Sequence, residues 1–66
     1  MKLRVTSTDP RLTRPARSWA GAEHRARTVA LLVGEATIEQ RAGDGWHPVE
    51  RFERTGSRVA RVEGRR

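Results

Sequence analysis

The sequence predicts a mainly β protein, a small antiparallel sheet or sandwich-like module carrying an extended basic N-terminal arm. Three observations lead there. Residues 35–53 read as two strands around Gly43-Asp44-Gly45, the stretches at 1–6 and 58–62 alternate apolar and polar residues, and Ser7–Ser18 holds two prolines and three arginines with little apolar content. Alternation of period two marks half-buried strands, whereas a polar, proline-punctuated stretch has no face to bury.

Met1–Thr6 is the first strand, because Leu3 and Val5 alternate with Lys2, Arg4 and Thr6. Ser7-Thr8-Asp9-Pro10 ends it, since Asp-Pro favours a turn and proline cannot donate to a ladder. Residues 7–26 then read as an arm or loop. It is either a flexible connector or a segment that orders against a neighbouring subunit or a nucleic acid.

Residues 15–34 admit two readings. Trp19, Ala22, Ala26, Val29 or Ala30, and Val33 fall at helical spacing, with Pro15 suited to a first turn and Gly34 to a C-terminal cap. Gly21 interrupts that pattern, and Thr28-Val29-Ala30-Leu31-Leu32-Val33 is a short, partly β-branched apolar run that periodicity alone cannot assign. The preferred reading is a strand over about 27–33. One domain then spans 1–66, with a β-rich core over 27–63, and the alternative is an α+β fold with one helix at about 15–33.

The next strand is better marked. Ala36 and Ile38 point one way while Glu35, Thr37, Glu39 and Arg41 point the other. Gly43-Asp44-Gly45 supplies the positive φ angles of a hairpin turn. The returning strand has Trp46, Val49 and Phe52 at a spacing that strict alternation cannot place on one face. Pro48 accounts for it by implying an edge position or a bulge that re-aims Val49 toward the face of Trp46. Ile38, Trp46, Val49 and Phe52 are therefore the expected hairpin core. Thr55-Gly56-Ser57 turns the chain into a last strand at Arg58–Val62, and Gly64-Arg65-Arg66 is expected to fray.

At 66 residues a single core supplies only about 3–5 kcal/mol, and small domains usually add disulfides, a metal or association with another chain. The chain has no cysteine, which removes the first and the thiolate ligands of most structural zinc sites. Association is the expected remedy. The formal charge is +6, from 14 basic and 8 acidic residues. All the basic residues but Lys2 are arginine, which we read as the bias of a GC-rich genome before selection for bidentate phosphate contact. No stretch has the roughly 18 apolar residues of a membrane span, and no secretory signal follows Met1-Lys2-Leu3-Arg4.

Catalytic, cofactor and metal residues are expected to be none. His24 and His47 stand in no ligand or nucleophile motif, Ser7, Ser18 and Ser57 lack the flanks of a nucleophile elbow, and Gly43-Asp44-Gly45 is followed by a strand where a phosphate cradle needs a helix. The basic residues of the arm and the last strand are the candidate interface, namely Arg11, Arg14, Arg17, Arg58 and Arg61, extended by Arg65 and Arg66. Arginines neutralise phosphates, and Trp19 or Trp46 has the ring to stack on an unpaired base, with a place in the core the preferred reading for Trp46.

The run Leu32-Val33-Gly34-Glu35-Ala36-Thr37-Ile38-Glu39-Gln40-Arg41, continued by Gly43-Asp44-Gly45-Trp46-His47-Pro48-Val49, resembles small β-structured virion proteins of tailed bacteriophages. In those, a Gly-x-Ala-Thr-(Val/Ile)-x-(Leu/Gln) strand leads into an Asp-Gly-x-x-Trp-x-(Pro/Asp)-Val hairpin. The similarity covers residues 32–62, and the chain departs from it in the direct Gly45-Trp46 junction and the long basic arm. The resemblance implies a decoration or structural protein of the virion, made in the host cytoplasm. Its partners would be copies of itself and other virion proteins, without a membrane. The alternative is a small basic module that binds nucleic acid or inhibits machinery acting on it.

Overall fold

A computed structural model describes residues 2–64. The chain forms five strands and one long helix. They are β1 (Leu3–Thr6), a 3-10 turn at Pro10–Leu12, β2 (Arg14–Ala16), α1 (Trp19–Val33), β3 (Glu35–Ala42), β4 (Gly45–Thr55) and β5 (Arg58–Glu63). The strands make one open antiparallel sheet in the order β2-β1-β3-β4-β5. β2 and β3 both run against β1, so they are parallel to each other, and α1 links them across β1.

The segment expected as a strand at 27–33 is the second half of α1. The apolar positions decide it, because Ala22, Ala26, Val29 and Ala30 are buried along one face and Val33 packs beside them. Ser18 caps the start, its hydroxyl oxygen accepting from the Gly21 amide at 3.0 Å. Gly34 closes the end at φ 100°, its amide donating to Ala30 O at 2.8 Å. Gly21 therefore sits in the first turn, where its cost is small, and not at the helix centre. Thr28 fits the helix by donating its hydroxyl proton to His24 O at 3.1 Å. Pro15 lies in β2, outside the helix.

Residues 7–26 are not an extended arm. Asp9 caps the 3-10 turn, residues 14–16 pair with β1, and Trp19 opens the helix. Leu12 and Ala16 are the anchors, both packed against the core.

Register assigns the two faces of the sheet. Leu3, Val5, Ala36, Ile38 and Phe52 are buried under α1 and form its core with the helical alanines and Val29. Two-residue turns join β3 to β4 and β4 to β5, each with a glycine at positive φ in first place (Gly43 at 62°, Gly56 at 64°), as primed hairpin turns require.

Pro48 marks a bulge. Glu39 pairs with Pro48 and Ile38 with Glu50, leaving Val49 as the extra residue. β5 covers β4 only from Arg51 to Thr55 among the described residues, so Pro48 also falls where β4 is locally an edge. The bulge has a consequence that sequence spacing missed. It turns Glu50, not Val49, toward the helix, and leaves Trp46 and Val49 half-buried and outside the core that holds Ile38 and Phe52. Trp46 pairs with Arg41 and faces away from α1.

Candidate functional site

The face of the sheet opposite α1 is uncovered by any other described element. Lys2 leads into β1 and its carbonyl oxygen accepts from the Arg41 amide at 3.0 Å, while Arg17 lies in the bend just past β2 and lines one depression with Lys2 and Trp46. Arg41 is in turn opposite Trp46. This end of the sheet thus gathers Lys2, Arg41 and Trp46 with Arg17 beside them, and none of the four is a carboxylate. The adjoining row across four strands reads Pro15, Arg4, Glu39, Pro48. Arg4 Nε lies 2.7 Å from Glu39 Oε1, so the carboxylate of this row is already engaged.

Acidic groups collect farther along the same face. Arg51 stands between Thr37 and Glu63, and Glu35 pairs with Glu53 beyond them. Arg51 forms an ion pair with Glu53. The uncovered face is therefore polarised, basic toward the β3–β4 turn and mixed to acidic toward the opposite end. Asp44, in the turn itself, is the other carboxylate at the basic end.

Trp46 is held among the cations. The Arg4 guanidinium lies 4.3 Å from the ring centroid and that of Arg41 5.9 Å, distances at which the ring quadrupole attracts them. The ring also walls a depression of about 460 Å³, whose rim includes Lys2, Pro15 and Arg17.

The expected interface arginines do not form one patch. Arg11 is bound to its own turn, with Nε and Nη2 each 3.0 Å from an Asp9 carboxylate oxygen. This side-chain hydrogen bond is the main reason the Asp9 carboxyl is held below its usual range and the Arg11 guanidinium is raised above its own. Arg14 donates to the backbone oxygens of Arg11 and Thr13, and lines a separate depression of about 250 Å³ with His24 and Arg25 beside the helix. Trp19 is half-buried against the core. Arg58 starts β5 at the far edge, and Arg65 and Arg66 lie outside the described residues.

Arg61 faces α1. Its Nη1 is 2.6 Å from Glu50 Oε2, a carboxylate whose side chain is fully buried, and 4.0 Å from Glu23 Oε1 on the helix. The hydrogen bond to Glu50 raises the Arg61 pKa. A carboxylate shut away from water costs several kcal/mol unless a counter-charge reaches it, and Arg61 supplies one from the edge strand. Gly64 packs so closely on this pair that any Cβ there would run into the Arg61 side chain. Arg61 is thus a structural tie between β4, β5 and α1.

Of the predicted residues, then, Arg17 and Trp46 come together, joined by Lys2, Arg4 and Arg41. The alternation of Lys2 and Arg4 with Leu3 and Val5 placed both on a wet face. Nothing local showed that β1 would pair with β3 and carry them to Arg41 and Trp46. Among the described residues no group of acidic or histidine side chains is arranged to hold a metal ion, and no helix is long and apolar enough to cross a membrane. Comparison with protein-family models, curated proteins and solved structures returns no match in any of the three, and so names no phage virion family.

Proposed function

We propose that this chain is a small, non-catalytic assembly protein whose subunits join through β5. The observation that carries this is the outer edge of β5, unpaired among the described residues, six residues with no proline and bearing half-exposed Val62 (48%). The other edge, β2, is three residues long and contains Pro15, two devices that blunt pairing. An unpaired strand edge offers its amides and carbonyls to another strand, and a second copy is the simplest donor.

The arginines of β5 favour one geometry. Stacked in parallel and in register, copies would set Arg58 on Arg58 and Arg61 on Arg61. Antiparallel about a two-fold at Ala60, Arg58 faces Val62 and Arg61 faces Val59, with no like charges opposed. The resemblance of residues 32–62 to small virion proteins supports a phage particle as the setting, with other virion proteins as further partners. Synthesis would be in the host cytoplasm.

The test is solution mass by light scattering. The wild-type chain is expected at twice its 7.5 kDa subunit mass, and Ala60→Arg, which opposes two cations at the two-fold on an exposed site, at the single mass. A wild-type chain that stays monomeric at high concentration overturns the reading. A second reading, a basic module acting on nucleic acid or on machinery that processes it, is favoured by the cationic cluster around Trp46.

A further inference from the structure

We infer that the basic end of the uncovered sheet face binds single-stranded nucleic acid, with Trp46 stacking on a base while Lys2 and Arg17 take the adjoining phosphates. This rests on the second reading above and is independent of pairing through β5.

The argument begins with charge. Lys2 and Arg41 are joined backbone to backbone, Arg17 lines the same depression as Lys2 and Trp46, and the Arg4 guanidinium lies 4.3 Å from the Trp46 ring. Glu39, the carboxylate among them, is bound by Arg4 at 2.7 Å, so the end of the sheet presents a net positive field. Phosphates are the complementary ligand, but phosphate alone leaves the aromatic ring unexplained. Trp46 is large, half-buried and outside the core, on the uncovered face of the sheet. Its ring walls the 460 Å³ depression together with Lys2, Pro15 and Arg17. A planar apolar group that seats there meets the indole, while anions attached to it meet the ammonium and guanidinium on the rim.

Shape selects the strand number. The DNA major groove admits a helix or a two-stranded ribbon, and a five-stranded sheet face is too broad for it. In a duplex the bases are also stacked on one another and unavailable to an indole. Single strands offer both an open base face and a flexible backbone, and stacking on an aromatic side chain tolerates any base.

The experiment measures fluorescence anisotropy of a short labelled single-stranded oligothymidylate and of a duplex of the same length, between about 50 and 200 mM salt. The wild-type chain is expected to prefer the single strand. Trp46→Ala, checked for native fold by circular dichroism, is expected to weaken binding by about tenfold or more with its salt slope unchanged. Lys2→Ala and Arg17→Ala should each lower that slope by about 0.7. Equal affinity of Trp46→Ala and wild type overturns the site while leaving nucleic-acid binding standing. Absence of any binding at low salt overturns the second reading itself. Equal binding of duplex, or competition by a mononucleotide as effective as the oligomer, overturns the single strand as occupant. Ala60→Arg is expected to bind as wild type does, which separates this site from the β5 edge.

Discussion

Trp46 and Phe52 lie on the same strand and face opposite ways, and their energetic roles divide accordingly. Phe52 is fully buried beneath α1, with the Arg27 guanidinium 5.0 Å from its ring. Removing a buried aromatic ring costs about 3–5 kcal/mol, while a domain of this length has about 3–10 kcal/mol in all. Phe52→Ala is therefore expected to lose most or all of the cooperative melt seen by circular dichroism. Trp46 gives the folded chain two surface cation–π contacts, each of about 0.5–1 kcal/mol. Trp46→Ala should keep a cooperative transition, lowered by less than about 15 °C at 4–8 °C per kcal/mol. If the two variants unfold alike, the division of the sheet into a core face and an uncovered face is wrong.

At the scale of elements, α1 depends on its ends. Its buried stripe is mostly alanine, which contributes little area, so the Ser18 cap carries a larger share of helix stability than a cap would on a leucine-rich helix. Ser18→Ala is expected to cost about 1 kcal/mol, and Ser18→Asp to restore it, read from denaturant midpoints. A midpoint indifferent to both changes would place the helix start elsewhere. This element also shows what the sequence could tell and what it could not. The Gly34 cap and the 22, 26, 29 or 30 spacing are visible in the sequence, whereas the Ser18 cap is not singled out there, and the run Thr28–Val33 has the composition of a buried strand. Burial of Ala22, Ala26, Val29 and Ala30 along one face against the sheet settles the competition in favour of helix. The hairpin was legible because its signals are local, namely alternation in β3, glycine first in the turn and proline at the bulge. The cationic cluster was not, because it is assembled by β1 pairing with residues 37–40, more than thirty positions away. Trp46 was misread for a related reason. A bulge shifts which residues face the core, and spacing reveals that one exists without fixing which residue is the extra one.

For the molecule as a whole, the balance between a small core and an open sheet argues for stabilisation by self-association. Nine apolar residues are buried among those described, and four are alanine, so the helix rests on the sheet with modest apolar area. The fully buried Glu50 adds a desolvation cost that Arg61 must offset from β5, an edge strand. Pairing β5 with a second copy would hold that strand in place and keep Arg61 on Glu50. The proposed self-association would then couple to folding, and a folded state stabilised by binding melts at a temperature that depends on concentration. The wild-type melting temperature is expected to rise as protein concentration is increased over two orders of magnitude. Ala60→Arg should abolish that dependence and melt near the dilute wild-type value. Arg61→Ala should lower the melting temperature at every concentration, because it removes the tie in monomer and dimer alike. A wild-type melting temperature that does not move with concentration would mean that β5 is already secure in the isolated subunit, and would overturn pairing of copies through its edge.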